Sequence, residues 1–538
     1  MIVQFIELKY VIPLTILLIF TILTYGFILF NDGLYFDSWM VDSWQRRKDW
    51  KIMKRYLSEV GMPYMFYVYK FNAYFKNRIF VSRFLAIISL FISSVYVYFI
   101  SIYFNLLTPN QALILALLFL SYTGYQMIVD TVVALQYTVP ISIFYSAVFL
   151  ATYSHSLTGI YFYVGHFFSI ILFFWSFNAN SILVYYFGFI FFKLFLDIND
   201  DLTYTINMKY FFINVLYLLI PFIFWIIKEK YTPRHGYYLN YNRIQINPIK
   251  IIMGLAHSIR HSLEAAIIDP LLFIIKSRLI LVILTLILIF NYFFVFDLRV
   301  DYLTSIIITI AGFGLFILAV IPYILVNQPI NNTGWTTKNA MLIHLPSGMI
   351  IYGISSFIIN DSKMFQGFLL FYLISTSLFN IRNSLYYLSV FIKDYSWLYK
   401  LKNRSDLSEI KIFQIIDNHN LKGDLSNTSQ DYKSAYLFYM FDWIWKTDLS
   451  RFGICELEPK DLYSGNFLLR TFEKTTIPYL LSEVMIDSRQ GRIIIKNNSK
   501  SSFYVISFKY ILAKITKNKE KLKLLLDDVT DIEVIILN

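Results

Sequence analysis

Long apolar runs separated by polar connections dominate residues 1–385. Eleven runs approach or exceed the roughly 20 apolar residues that a transmembrane helix needs. They fall at 10–30, 82–105, 111–127, 136–153, 159–177, 181–197, 209–227, 278–297, 303–325, 343–360 and 365–384. The pattern predicts a mainly α, polytopic bundle of about 11 spans. The short run 111–127, which ends in Tyr125-Gln126, also fits a broken or re-entrant element.

Three long polar segments, 31–81, 228–277 and 386–538, interrupt or follow these runs. With an odd number of spans between the termini, all three lie on the same side of the membrane. The shorter connections 177–181 and 326–342 lie there as well, and the opposite side has only short turns. The sequence therefore predicts a transmembrane domain at 1–385 with one working face, followed by a soluble α+β domain at 386–538.

Segment 31–81 predicts two amphipathic helices that lie in the membrane interface. The first runs from Ser38 to Tyr56, with three Trp among charged residues. Gly61-Met62-Pro63 interrupts the helical pattern. A second, aromatic stretch follows from Tyr64 to Phe75, so both helices combine rings with charges, as interfacial helices do.

Segment 228–277 has a similar organisation. Asn247-Pro248 is a helix start signal, and the predicted helix runs to about Ile268. Asp269-Pro270 follows and is expected to end it. This second long connection is therefore also predicted to hold an interfacial helix.

The chain changes character at about Asp394, where the apolar runs give way to short β-type stretches. Strands are predicted at Lys411–Asn418, Arg492–Ile495 and Ile532–Leu537, and a helix at Phe508–Leu525. The Asn420–Gln430 stretch is rich in polar and turn-forming residues. A small α+β domain is the expected result.

Composition supports a membrane protein. Hydrophobic residues make up 57% of the 538 residues, charged residues only 15%, and the mean hydropathy is +0.56. A soluble protein of this size needs more polar surface. The net charge of +12 is explained by Lys and Arg that meet lipid phosphates, and no nucleic-acid motif is present. Cys455 is the single cysteine, which excludes an internal disulfide and a cysteine-based zinc cluster.

Up to three carboxylates, Asp32, Asp37 and Asp42, follow the first span at the start of the predicted interfacial helix. A carboxylate there can deprotonate a sugar hydroxyl or bind a metal. The structural alternative is that Asp37 only caps the helix while Asp42 faces water. On one continuous helix the two side chains are about 140° apart, so they are not expected to act as a pair.

Basic residues on the same predicted side are candidates for binding a substrate phosphate: Arg46, Arg234, His257, Arg260, His261 and Lys338. His257, His261 and Glu264 share one helical face. Two His at this spacing can chelate a metal, but on an interfacial helix this spacing more often belongs to an amphipathic polar face. No metal site and no cofactor are assigned, and a divalent cation remains open.

Several separated features resemble the GT-C class of membrane glycosyltransferases. These are the acidic first loop, the interfacial helices and the Gly-Met-Pro break. A later stretch, Thr333–Leu342 after Ile321–Val326, resembles a late loop of bacterial members of that class. Lys338-Asn339 stands there where Arg-His is more usual. The final external domain is similar in layout to that of serotype-converting O-antigen glucosyltransferases.

This resemblance implies an inverting glycosyltransferase that takes a sugar from a polyprenyl-phosphate donor in the outer leaflet. The acceptor would be a glycan or a lipid-linked molecule, and an Asp of the first loop would be the general base. Asp37 is the first candidate and Asp32 the second. An Arg or Lys would stabilise the leaving phosphate. The implied location is a bacterial cytoplasmic membrane, with the site and the C-terminal domain facing outward.

Two other functions remain open. A polysaccharide flippase or transporter would carry ionisable residues along its spans, but the predicted spans are nearly bare of charge apart from Lys193. A non-catalytic membrane scaffold would use the C-terminal domain to bind a partner. Lys and Arg concentrate in 31–83 and 228–278, and the positive-inside rule alone would place these loops in the cytoplasm. The glycosyltransferase interpretation places them outside.

Overall fold

The structure is a computed structural model and is mainly helical. The residues it describes are 8–103, 106–200, 208–236, 239, 243–293, 296–332, 334–402, 404, 412–418, 439–440, 443, 453–455, 469–471, 481–482, 490–499 and 501–537. Its helices up to residue 401 are α1 (Leu8–Tyr25), α2 (Asp37–Arg47), α3 (Trp50–Glu59), α4 (Met65–Asn72), α5 (Arg78–Tyr103), α6 (Pro109–Ser121), α7 (Thr131–Val133), α8 (Val139–His155), α9 (Ile160–Ser176), α10 (Ser181–Asp200), α11 (Met208–Tyr231), α12 (Pro248–Leu263), α13 (Asp269–Lys276), α14 (Ile280–Phe293), α15 (Tyr302–Leu325), α16 (His344–Ile358) and α17 (Ser362–Leu401). Short 3₁₀ turns lie at Gly26–Phe30, Gln126–Val129 and Trp335–Ala340, and π turns at Ala134–Thr138 and Glu264–Ile268.

Each of the eleven predicted apolar runs contains a helix, but the count of about eleven spans is not confirmed. Within the described residues, 6 helices are long and apolar enough to cross a membrane. They are Tyr10–Phe30, Arg78–Tyr103, Thr131–His155, Phe212–Tyr231, Tyr302–Leu325 and Ser362–Leu401. The pair Pro248–Lys276 and Ile280–Tyr292, bent by 107°, is a possible seventh. The apolar helices α6, α9 and the described part of α10 are shorter, and a 13-residue helix such as α6 covers only about 20 Å.

Contacts group the connections between helices into two sets at opposite ends of the bundle. At one end, the Tyr64 hydroxyl donates to the Asn178 carbonyl (3.3 Å), and the His235 amide donates to the Glu59 carbonyl (3.2 Å). At the other end, Arg299 donates to the Asn360 carbonyl at 2.5 Å. The first set joins the long polar segments to one another, and we call this end the working end.

The first long segment differs from its prediction. The expected helix from Ser38 to Tyr56 is two helices, α2 and α3, because Lys48 takes a left-handed conformation (φ 59°) that ends α2. Gly61, at φ 79°, forms the break before α4, as the Gly-Met-Pro pattern indicates. Helix α4 exposes Tyr67 and Phe71 and retains the character of an interfacial helix.

Helix α2 does not lie in the membrane interface. Residues Ser38 to Gln45 are all buried. Its Trp39 ring packs against Trp443 (centroids 6.1 Å apart) and its Trp44 ring against Tyr439 (6.2 Å). The C-terminal region therefore covers α2, and protein side chains take the place that the amphipathic pattern assigned to lipid.

The segment between α6 and α7 is buried but has no α-helix. Tyr122, Thr123 and Met127 are each at most 2% exposed. Buried backbone outside regular helices needs partners for its N–H and C=O groups. Neighbours supply them here: Thr337 Oγ1 accepts from the Met127 amide at 3.2 Å. The interpretation of 111–127 as a broken element therefore matches the structure.

The prediction that Asp269-Pro270 ends the helix of the second long segment is wrong. The helical path runs from α12 through the π turn at Glu264–Ile268 into α13. Pro270 is tolerated because it lies in the first turn of α13, where its missing N–H costs no helical hydrogen bond. The chain turns sharply only after Lys276.

The C-terminal region holds the strands β1 (Ile412–Asn418), β2 (Gly453–Cys455), β3 (Leu469–Thr471), β4 (Leu481–Ser482), β5 (Gln490–Asn497) and β6 (Thr530–Leu537), and the helices α18 (Phe503–Ile515) and α19 (Lys519–Val529). The sheet order is β4-β3-β2-β1-β5-β6. Strand β1 is parallel to β2 and β5, and β5 is antiparallel to β6. The three predicted strands are confirmed as β1, β5 and β6, and the Asn420–Gln430 stretch lies outside the described residues.

The predicted helix Phe508–Leu525 is two helices. Lys517, at φ 51°, ends the first, and Asn518 caps the second by accepting from the Lys521 amide at 2.9 Å. Helix α17 runs past the expected domain boundary at 386 and continues to Leu401. The Ser396 hydroxyl on this extension lies 2.6 Å from that of Thr530, so α17 contacts the start of β6 in the C-terminal region.

Candidate functional site

Three non-helical segments meet at the working end: 31–36, 122–130 and 326–343. The Phe36 and Trp335 rings pack with centroids 5.2 Å apart. The Gln126 side-chain amide donates to the Asn332 carbonyl at 2.9 Å. Segments from three distant parts of the chain therefore form one wall, and the candidate functional side chains project from it.

Asp37 is the first residue of α2 and is half-buried. The N-cap position belongs to Phe36, whose backbone (φ 42°, ψ −122°) is unfavourable for a residue with a Cβ. Such strained residues occur mainly at functional sites, where the surrounding packing holds them. Since Asp37 lies inside the helix, the structural alternative of an ordinary N-cap does not describe its position.

Asp130 is fully buried beside Asp37 and lies just before the candidate span Thr131–His155. Its Oδ1 accepts from the amides of Val132 (2.8 Å) and Val133 (3.0 Å), so it caps α7. Its Oδ2 is buried without a hydrogen-bond partner among the described residues. Burial, with a smaller contribution from the Asp37 charge, raises the pKa of Asp130 to about 7.

Lys338 completes this group. Its Nζ lies 3.8 Å from the centroid of the Trp335 ring and 5.9 Å from that of Tyr137. Burial lowers the pKa of Lys338 to about 8, although the charges of Asp37 and Asp130 act in the opposite direction. The ammonium thus lies in the field of both carboxylates. We call these three residues the Asp37–Asp130–Lys338 cluster.

Ser38 and Arg83 hold the cluster together. The Ser38 hydroxyl oxygen accepts from the Thr131 amide (3.2 Å) and the Thr131 hydroxyl (2.9 Å), which ties α2 to the residue after Asp130. The buried Arg83 guanidinium donates to the carbonyls of Val129 (2.9 Å) and Gly33 (2.5 Å). The Ser38 contact connects α2 to the start of α7, and the Arg83 contacts connect Gly33 to Val129, so together they hold the chain around Asp37 against the chain around Asp130.

A second group of titratable side chains lies on the α12 path. Arg260 Nε donates to one carboxylate oxygen of Glu264 at 2.8 Å, and His261 Nδ1 lies 3.0 Å from the other. His257 Nε2 lies 2.8 Å from Asn331 Oδ1. We call His257, Arg260, His261 and Glu264 the α12 cluster.

Segment 326–343 lies between the two clusters. On one side its Asn332 amide donates to Glu264 at 3.2 Å. On the other side it carries Trp335 and Lys338. The predicted residues His257, Arg260, His261 and Lys338 are therefore close in space, although they come from different connections.

The remaining predicted residues lie elsewhere. Asp32 accepts from the Tyr510 hydroxyl (3.0 Å) and from Lys514 Nζ (2.7 Å), so it contacts α18 of the C-terminal region. Arg46 donates to Asp42 at 2.7 Å. Arg234 packs against Gly61, between α3 and α4. The structure brings none of these three into a described contact with Asp37.

Asp42 does not face water, contrary to the structural alternative. It is 4% exposed and accepts from Arg46 and also from Arg78 Nε, at 2.9 Å. Two guanidinium groups thus neutralise one buried carboxylate. Asp42 and Arg46 stabilise the first loop, and neither side chain is directed at Asp37 by these contacts.

His257 and His261 have ring centroids 4.2 Å apart. His257 shares a hydrogen bond with Asn331, and His261 Nδ1 lies 3.0 Å from a Glu264 carboxylate oxygen. Within the part of the chain that the structure describes, no group of three or more His, Cys, Asp or Glu side chains is arranged to hold a metal ion. The contacts of the α12 cluster are those of a hydrogen-bonded polar face.

Sequence reasoning did not select Asp130 or Arg83 for the site. The available signal for Asp130 was an acidic residue between two apolar runs, directly before a helix start. That pattern is typical of an N-cap, and Asp130 is one. Its proximity to Asp37 arises from tertiary packing, and no local pattern indicates it.

The fold is that of a polytopic helical membrane protein with a small α+β region at one end. Comparison with protein-family models, with curated proteins and with solved structures found no match to the chain. The function is therefore inferred from the two clusters and their position.

Proposed function

We propose that this chain is a GT-C-type membrane glycosyltransferase. It transfers a sugar from a polyprenyl-phosphate donor to a cell-surface glycan or lipid-linked acceptor, with inversion. The observation that carries the proposal is the Asp37–Asp130–Lys338 cluster. It supplies a half-buried carboxylate as a base and an adjacent ammonium for a leaving phosphate, at the working end of an apolar bundle.

Asp37 is the general base in this proposal. The acceptor hydroxyl gives its proton to the Asp37 carboxylate, and its oxygen forms a bond to the anomeric carbon of the sugar. The bond between that carbon and the phosphate oxygen breaks, and the electron pair leaves with the polyprenyl phosphate. Attack opposite the leaving group inverts the anomeric centre.

Asp130 and Lys338 support this step. With a pKa of about 7, Asp130 holds a proton in a large part of the molecules at neutral pH, which reduces its repulsion of the Asp37 carboxylate. Lys338, with a pKa of about 8, is mostly charged under the same conditions. It can neutralise the charge that develops on the phosphate. Across segment 326–343, Arg260 and the two His of the α12 cluster provide further donors for that phosphate.

The proposed arrangement keeps about eleven spans, in which the shorter helices α6, α9 and α10 also cross the membrane. Asp32 contacts α18, so the first loop and the C-terminal region share one side. We place that side outside a bacterial cytoplasmic membrane. The layout is similar to that of serotype-converting O-antigen glucosyltransferases. It supports glucose as the first donor sugar to test. It also supports O-antigen, or another lipopolysaccharide-type glycan of the cell envelope, as the acceptor.

The test uses the native host with its own copy of the gene deleted. A plasmid then supplies the gene with Asp37→Asn. The Asp37→Asn variant should transfer sugar about a hundredfold more slowly, as expected for loss of a general base. Mass spectrometry of the surface glycan should then show one hexose missing, while the polyprenyl-phosphate sugar accumulates. Asp32→Asn is the matched control and should retain transfer, because Asp32 contacts α18.

Other outcomes separate the rival functions. If the gene deletion removes the entire surface polymer and the Asp37→Asn variant restores it fully, the result would favour a flippase. Unchanged glycan in both variants and in the gene deletion would favour a scaffold. Full hexose transfer by Asp37→Asn at a normal membrane level would remove the basis of the proposed function.

A further inference from the structure

Helix α18 of the C-terminal region has an apolar outer face. Its inner face packs against α17 through contacts such as the Ser507 hydroxyl, which donates to the Leu385 carbonyl at 2.8 Å. A helix on a water-soluble domain normally presents polar residues outward. The outward residues here are 44–60% exposed and apolar: Val505, Phe508, Leu512 and Ile515.

This face lies at the end of the first candidate span. The Phe508 ring meets the Phe27 ring edge-on, with centroids 6.2 Å apart. Phe27 belongs to the span Tyr10–Phe30. Lys514 Nζ donates to the Phe30 carbonyl at 3.1 Å. These contacts bring α18 to the level at which α1 leaves the membrane.

The apolar face of α18 continues the lipid-facing surface of α1. Only 28% of the most apolar part of that span is buried inside the protein. Its outward side chains lie along one strip that reaches Leu23, one turn before Phe27: Ile12, Ile16, Ile19 and Leu23. Phe508 extends this strip into the C-terminal region.

The charges around the face fit anionic lipid headgroups. Residues 503–529 hold six Lys against three acidic residues. Five of the lysines are exposed: Lys509, Lys517, Lys519, Lys521 and Lys523. An apolar face bordered by lysines is typical of helices that bind anionic bilayers. A second copy of the chain fits less well, because two-fold symmetry would place like-charged lysine groups against each other.

We propose that α18 seats the C-terminal domain on the bilayer, with its outer face among the lipid acyl chains and its lysines at anionic headgroups. The domain is then a peripheral membrane module, and the working end is held close to the lipid surface. This inference is independent of the proposed transfer reaction.

The test uses the full-length chain with Cys455→Ser and one new cysteine that carries a fluorescent label. Phe508→Cys and Leu512→Cys probe the outer face of α18. Ile19→Cys is the lipid-facing control, and Glu533→Cys on β6 is the water-facing control. Each protein is reconstituted in vesicles of phosphatidylcholine with a quarter of phosphatidylglycerol, and quenching by brominated acyl chains is compared with quenching by aqueous iodide.

Labels at Phe508 and Leu512 should be quenched by brominated lipid nearly as strongly as the label at Ile19, and several-fold more than the label at Glu533. Iodide quenching equal to that at Glu533 would overturn the proposal. Protection from both quenchers would also overturn it, because protein would then cover the face. Removal of phosphatidylglycerol should weaken the lipid quenching at Leu512, and unchanged quenching would exclude a role of the lysines.

Discussion

Helices α2 and α12 are both short amphipathic helices in long polar connections, yet they have opposite surroundings. Eight consecutive residues of α2 are buried, whereas only Ser258 and Ser262 of α12 are buried. Ile249, Ile252 and Met253 on α12 are 67–70% exposed. An amphipathic pattern states that one face needs an apolar cover, but lipid and protein side chains both satisfy that need. Whether lipid or protein covers the apolar face depends on which other segments of the chain pack against the helix.

The largest expected difference concerns the removal of a large apolar side chain from each helix. Trp44→Ala should lower the free energy of unfolding by about 4 kcal/mol, because it opens a cavity between α2 and the C-terminal region. Ile252→Ala on α12 should change it by less than about 0.5 kcal/mol, since that side chain is 68% exposed. Thermal unfolding in detergent, followed by gel filtration, measures both. Equal shifts would remove the contrast between the two helices.

A smaller difference is expected for two acidic residues that pair with Arg: Asp42 in α2 and Glu264 directly after α12. Asp42→Asn removes the charge of the buried carboxylate that both Arg46 and Arg78 contact, and should cost about 3 kcal/mol. Glu264→Gln should cost at most about 1 kcal/mol, because Arg260 is mostly exposed. High salt should reduce only the second effect. The same unfolding assay at low and high salt tests this, and strong salt dependence of the Asp42→Asn effect would contradict it.

The smallest expected effect again compares a buried with an exposed position. Asp130 and Asp301 both cap helices, but Asp130 is buried and Asp301 is exposed. The pKa of Asp130 is raised, so the folded state holds the proton more tightly than the unfolded state. Its contribution to stability is present at low pH and is lost as the pH rises towards 7. Between about pH 5 and pH 7 the loss should be about 2 kcal/mol, and Asp130→Asn should abolish it.

Asp301 should show the opposite sign. Hydrogen bonds from the Thr304 hydroxyl and amide lower the pKa of Asp301, so its contribution is present at neutral pH and is lost as the pH falls through the lowered pKa. Unfolding curves of Asp130→Asn and Asp301→Asn from about pH 2 to pH 8 compare the two, because the Asp301 effect lies below its ordinary pKa and the Asp130 effect lies above it. Parallel pH profiles for both variants would show that Asp130 is not held in its protonated form.

Much of the fold could be predicted from the sequence because its signals are local. Apolar runs predicted where the helices lie, and β-branched runs predicted β1, β5 and β6. The Asn247-Pro248 pair marked the start of α12, where Asn247 Oδ1 accepts from the Ile249 amide at 3.1 Å. The Asp269-Pro270 signal failed, because a proline in the first turn of a new helical stretch does not stop the path. The number of spans was also not determined, since short helices such as α6 can be completed by buried non-helical chain.

The candidate site was predicted in part. Asp37 and Lys338 were chosen from the sequence, and the structure brings them into one cluster. Asp130 was not chosen, because its local pattern is that of an ordinary N-cap. Asp32 was chosen because it directly follows the first predicted span, but its side chain contacts α18.

The sequence alone therefore determined the class of the protein: apolar helices, a small α+β region and polar connections gathered at one end. These properties depend on periodicity and composition, which act over short stretches. Only the tertiary structure decided that protein covers α2 while α12 remains open, and that the Asp37 charge acts on Asp130 and Lys338. Residues separated by hundreds of positions come together only through the packing of whole helices, and that packing depends on every interface at once.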